Sequence, residues 1–175
     1  MLFKEAATIL FWTPLYVVSM PGIVMQFIEK LAFMKGEVTE KQLGFFIQSG
    51  FIEATHSRAL EAYFKKLTCR LGARYMGTAI KGGAEGLTVR PSCTIRKLQK
   101  RLELLGTHFG LQEEWDEALL EKIAGQEHLN RQSLLAIRAL QVFGLGNGYW
   151  NYLLKKHGAF DKRFAQPYGK KNFMQ

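Results

Sequence analysis

The sequence predicts an α/β fold, a three-layer arrangement of a parallel sheet between helices, with a helical region after it. Three observations carry this. A strand-like apolar run followed by a helix-like stripe recurs three times before Gly110. The first strand is a continuous apolar stretch, as buried parallel strands are. After Gly110 only helical patterns remain. Strand-helix alternation implies right-handed crossovers and a parallel sheet. Residues 1–110 are therefore expected to form the sheet domain, and 111–175 a helical appendage.

The first strand is read at Ala6 to Trp12. Ser19 is placed to cap the next helix and Pro21 suits its first turn. That helix, Ile23 to Met34, puts Ile23, Val24, Phe27, Ile28 and Leu31 on one face and ends at Lys35-Gly36-Glu37. The second strand is Gln42 to Gln48, leaving through Ser49-Gly50-Phe51. The second helix runs from about His56 to Leu71, with Ala59, Leu60, Tyr63, Phe64, Leu67 and Leu71 as its stripe and Gly72 as its stop. The third strand is Arg74 to Lys81. Gly82 to Gly86 follows as a glycine-rich turn, then a helix from Ile95 to about Phe109 with Leu98, Leu102 and Leu105 inward. Further helices are expected at Trp115 to Ala124, Asn130 to Phe143 and Tyr149 to Lys156. Gly144 to Gly148 breaks the chain between the last two, and an aromatic, basic tail runs from Phe160 to Gln175.

Composition narrows the function classes. The chain has 175 residues, 47% hydrophobic and 13% aromatic, enough to bury a core. Net charge is +9 and the pI about 9.6. The basic pairs, such as Arg96-Lys97 and Lys155-Lys156, flank apolar residues on amphipathic helices, so they are read as solvent faces and not as a nucleic-acid footprint. Ala6 to Ile28 lacks charge and is long enough to span a bilayer, but Pro14, Pro21 and Gly22 interrupt it; a buried strand, loop and helix explain it better. No membrane partner is expected, and no cleavable signal. Cys69, on a helix, and Cys93, in a loop, match no metal or redox spacing, and the four histidines share no ligand spacing. The expectation is a cytoplasmic protein without a metal.

The most telling segment is Thr13-Pro-Leu-Tyr-Val-Val-Ser-Met-Pro-Gly22, a loop between the first strand and its helix. Open α/β sheets bind ligands at such strand exits. With Gln48-Ser-Gly-Phe51, Ala54-Thr-His-Ser-Arg58, Gly77-Thr-Ala-Ile-Lys-Gly-Gly83, Glu85-Gly86, Tyr149-Trp150-Asn151, Lys162-Arg-Phe164 and Pro167-Tyr168, it resembles the NAD(P)H-dependent FMN oxidoreductases of flavodoxin-like fold. The order and spacing of these pieces carry the resemblance more than any one of them. It implies FMN along the carboxyl ends of the strands, NAD(P)H as reductant and a small-molecule electron acceptor. By the same resemblance Pro14, Leu15, Tyr16, Val17 and Ser19 line the flavin ring, and Ser49, Gly50 and Phe51 approach its other edge. A planar apolar ring suits walls of Leu15, Tyr16, Val17 and Phe51. Backbone groups and small hydroxyls around Tyr16, Ser19, Ser49 and Gly50 suit its polar rim. No catalytic side chain is expected, because the flavin carries the hydride chemistry. Gly82 to Gly86 lacks a phosphate-loop pattern and is read as a turn with a share in the substrate mouth; His56 is read either near the site or facing solvent at a helix start.

In the flavodoxin-like order 2-1-3-4-5, the three strands correspond to strands three to five. Strands one and two and the phosphate loop have no counterpart, so the fold is expected to be N-terminally incomplete. The first strand would then be an exposed apolar edge. Four possibilities stay open: the sequence is a fragment, a second chain supplies the other half, copies pair through the edge as a homo-oligomer, or flavin has been lost. The alternative to the enzyme is a non-catalytic interaction protein that keeps the fold.

Overall fold

The computed structural model describes residues 5–36, 38–143 and 146–166. Glu37, Gly144, and the tail beyond Gln166 with Pro167, Tyr168 and Phe173 lie outside the described residues. The chain divides into two compact units, residues 1–129 and 130–175.

The first unit is an α/β domain on a parallel three-stranded sheet. Its strands are β1 (Thr8–Pro14), β2 (Gln42–Gln48) and β3 (Arg74–Lys81), side by side in the order β1-β2-β3. β2 and β3 lie where the sequence puts them. β1 starts and ends two residues later than expected. It pairs with β2 from Thr8↔Gln42 to Pro14↔Gln48. The Leu15 N–H donates to the Gln48 carbonyl and the Gln42 N–H to Ala7. Odd-numbered residues of β1 therefore turn their backbone toward β2, and the N–H groups of Thr8, Leu10 and Trp12 point to the free edge. Pro14 belongs to that outward set, so its missing N–H costs the sheet nothing and the strand extends through it.

Helices α1 (Gly22–Leu31) and α2 (Arg58–Leu71) cover one face of the sheet. Phe45 of β2 stacks on Phe64 of α2 at 4.2 Å and on Phe11 of β1 at 5.5 Å. Around them Ile28, Leu31, Leu43, Ile47, Leu60 and Ile80 close the larger core. Helices α3 (Ser92–Gln112) and α4 (Glu117–Ala124) take the opposite face, where Phe46, Ala79, Leu105 and Ile123 form a second core. Gly77 makes room there for Trp115, since a Cβ on it, at φ +108, would come within 2.8 Å of the ring, and a Cβ on Gly44 would meet Leu10 at 2.6 Å.

Several local expectations change. Ser19 does not cap α1; the cap position is Pro21, with no side-chain bond, and a short 3₁₀ turn, Ala32–Met34, extends the helix. Of the α1 stripe, Ile28 and Leu31 are buried, but Ile23 and Phe27 are exposed, Phe27 with its ring 6.0 Å from that of Phe11 on β1. On α2, Ala59 and Tyr63 face solvent while Thr68 is buried, its hydroxyl donating to the Phe64 carbonyl at 2.8 Å. A 3₁₀ turn, Ala54–Ser57, precedes it, and Gly72 ends it in the left-handed conformation. Helix α3 starts earlier than expected and runs through Gly110, which places Cys93 in its first turn and not in a loop.

The sheet unit also reaches further than residue 110. Helix α4 packs on β3 through Ile123, and Arg101 of α3 donates to the Lys122 carbonyl at 3.0 Å. The boundary falls at 129 because the segment after α4 is bonded back to the loop after β2. The second unit holds α5 (Arg131–Val142) and α6 (Gly148–Lys156), followed by a 3₁₀ turn, Phe160–Lys162.

Candidate functional site

The loops leaving β1, β2 and β3 meet at the carboxyl end of the sheet around a cleft of about 840 Å³. The first loop contributes Pro14, Leu15, Tyr16 and Val17. The second contributes Ser49, Gly50 and Phe51 beside Gln48, and the third contributes Ala84, Glu85 and Leu87. Seven of the eight expected residues are thus brought together, and Ser19 stays off the lining. The volume suits a small organic ligand.

The first loop is a tight turn. The Tyr16 N–H donates to the Ser19 carbonyl at 2.7 Å, and the Ser19 N–H returns to Tyr16 at 3.0 Å. Between them Val17 (φ +49) and Val18 (φ +66) are both left-handed. Such turns favour Asn-Gly, and a β-branched residue there is strained. The turn projects Val17 into solvent, 91% exposed, with Tyr16 beside it. Leu15, by contrast, is buried in the larger core and only edges the cleft.

The second and third loops are clamped together. The Ser49 N–H donates to the Lys81 carbonyl, and the Ser49 carbonyl accepts from Ala84. The Ser49 Oγ accepts from the Phe51 N–H at 3.0 Å. The Gly83 N–H donates to the Phe51 carbonyl at 2.7 Å. Gly82 lies so close that a Cβ there would sit 2.7 Å from the Ile52 carbonyl. Of the glycine-rich turn, Gly83 takes a positive φ of +66. Lys81 holds its ammonium on the Gly82 carbonyl, and burial, with Arg90 nearby, lowers its pKa. The groups expected to meet a ligand's polar rim at Tyr16, Ser19 and Ser49 are therefore already engaged in shaping the loops.

Behind Phe51 stands His56, its ring tilted on the phenyl at 4.5 Å and its Nε2 3.3 Å from Glu53. His56 lies beside the second loop but not on the cleft lining, at a helix start with its side chain 37% exposed. Glu53 accepts the Leu129 N–H at 2.7 Å, which holds its carboxyl below the ordinary range. Arg58 donates to Glu127 at 2.8 Å; this pair lowers the Glu127 carboxyl and raises the Arg58 guanidinium further. Together these bonds fasten the second loop to residues 126–129.

Sequence reasoning missed Gln48 and Leu87; Ala84 and Glu85 belong to the Gly82–Gly86 turn, which it gave a share in the mouth without naming them as site residues. Glu85 is the acidic side chain on the described lining, and its carboxyl group leans over Gly50, where a Cβ would be 3.0 Å away. The acidic residue in Gly-Ala-Glu-Gly was the signal available for it. The apolar walls fit a flat aromatic ring system. No cation lies among the described lining residues.

No protein-family model matches the chain, and no curated protein does. Two solved structures are similar in part. One is the Trp repressor binding protein from Bacillus subtilis, at 19% identity and a TM-score of 0.44, covering 46% of this chain and 58% of that one. The other is an NADPH-quinone reductase from P. pentosaceus, at 18% identity and a TM-score of 0.45, covering 54% and 64%. The likeness thus spans less than two thirds of either solved chain, and at these values it decides no ligand or activity.

Proposed function

We propose that this chain carries the ring-binding part of an FMN-dependent NAD(P)H oxidoreductase, or a remnant of one. One observation carries the reading: the loops after β1 and β2, chosen from sequence, converge on one cleft at the carboxyl end of a parallel sheet. Ligands of open α/β sheets bind at that end. A bound flavin would supply hydride transfer from nicotinamide to a small acceptor. Tyr16, Val17 and Phe51 would flank the ring, and the clamp between the second and third loops would keep Phe51 in place. Flavin fluorescence quenching on titration with the purified chain tests this. Phe51→Asp should weaken the affinity at least about tenfold, since it removes an aromatic wall and adds charge. Unchanged affinity would dismiss the cleft assignment.

A second reading is favoured by the free edge of β1. Leu10 and Trp12 are exposed there, and Trp12, 63% exposed, stacks on Phe46 at 4.0 Å. A protein that keeps the fold without flavin would use this edge to bind a partner strand or a second copy. It predicts a stable oligomer and no flavin affinity.

A further inference from the structure

Residues 130–175 hold eight of the 24 lysines and arginines but one of the 15 acidic residues, so they carry +7 of the net +9. The charge that looks dispersed along the sequence is concentrated in one unit. Among its described residues no side chain is buried. Its helices, of 12 and nine residues, are shorter than those that persist alone in water. Their apolar residues instead lie open: Leu135 and Val142, and Phe143 and Phe164 at 76% and 82% exposure.

The open faces mix the two chemistries. On α5, Arg131, Leu135, Arg138 and Val142 recur at helical spacing and are all exposed. On α6, Tyr152 shares the exposed side with Lys155 and Lys156. The chain after α6 continues the pattern, with Lys155 5.0 Å from the Phe160 ring and Arg163 stacked over Phe160 at 4.0 Å and Phe164 at 4.8 Å.

We infer that α5, α6 and the described residues after them dock on the surface of an anionic lipid bilayer. A bilayer interface accepts aliphatic and aromatic side chains beneath the headgroups while the headgroups pair with Lys and Arg. Single-stranded nucleic acid also takes cations and aromatics, but it gives no cover to Leu135 or Val142. No helix among the described residues is long and apolar enough to cross a membrane, so the unit lies on the surface.

The test is co-sedimentation of the full chain with vesicles of equal parts phosphatidylcholine and phosphatidylglycerol, beside vesicles of phosphatidylcholine alone. The chain should pellet with the anionic vesicles only and be released by salt. Arg138→Glu with Lys156→Glu, checked for unchanged circular dichroism, should weaken binding at least about tenfold. Leu135→Ser with Val142→Ser should weaken it as well, through the apolar half. Failure to pellet, equal binding to both vesicle types, indifference to the charge reversal, or release by a single-stranded oligonucleotide that binds more tightly would each overturn the proposal.

Discussion

Tyr16 and Ser19 exchange backbone hydrogen bonds at 2.7 and 3.0 Å, and the two residues between them, Val17 and Val18, are both left-handed. Val is among the residues least suited to that conformation, and here two occur in succession. The turn stands at the lip of the cleft, and strain of this kind persists where the surroundings enforce it. Replacing Val17-Val18 with Asn-Gly should raise stability by about 1–2 kcal/mol, after the extra freedom glycine gives the unfolded chain. Denaturant unfolding measures this. A loss of stability would mean the valines contribute packing that outweighs their strain.

Gly82 sets how closely the third loop approaches the second. A Cβ there would meet the backbone carbonyls of Ile52 and Phe51 at 2.7 and 2.9 Å, with no flexible side chain to give way. Gly82→Ala should cost about 1–3 kcal/mol and shift Phe51. Gly86→Ala, with nothing within 4 Å of the added carbon, should stay within about 0.5 kcal/mol. Equal effects of the two substitutions on thermal unfolding would contradict the clamp.

The bonds between the second loop and residues 126–129 should be pH-sensitive. Glu53 is lowered chiefly by the Leu129 N–H and Glu127 chiefly by Arg58. A carboxyl lowered in the folded state adds stability that is fully present above its ordinary value of 4.5 and is lost as pH falls through the lowered one. Protection of the Leu129 amide from hydrogen exchange, corrected for intrinsic rates, should therefore hold near neutrality and fall in mild acid. Glu53→Gln should remove most of that dependence. Protection that rises with acidity would reverse the sign and reject the assignment.

The free edge of β1 predicts self-association or partner binding. Light scattering should find an oligomer, and Leu10→Lys or Trp12→Lys should shift it toward monomer, because charge on an edge strand opposes pairing. A wild-type chain that is monomeric at all concentrations would remove self-pairing.

The sheet was legible because buried parallel strands leave continuous apolar runs: β2, with Phe45, Phe46 and Ile47, and β3 lie where those runs end. The meeting of the first two loops at a cleft was legible too, since a strand exit is marked by the change from apolar run to Pro, Gly and Ser. What was hidden depends on contacts far apart in sequence. No local pattern shows that Val17 and Val18 are left-handed, since their composition favours a strand. Nor does periodicity show that Ile23 and Phe27 stay exposed although Phe27 meets Phe11 of β1, because a helix stripe records an apolar face and not how fully it is covered. The boundary at 129 escaped notice because it rests on Glu53 reaching the Leu129 N–H across the chain.

The most direct measurement is a paired titration with FMN and riboflavin, following flavin fluorescence. The cleft offers walls for the ring and, among its described lining residues, no Lys or Arg for a phosphate. Both flavins should therefore be quenched, with dissociation constants within about threefold of one another. Quenching of neither, or FMN bound about a hundredfold more tightly than riboflavin, would contradict a ring-binding cleft of this composition.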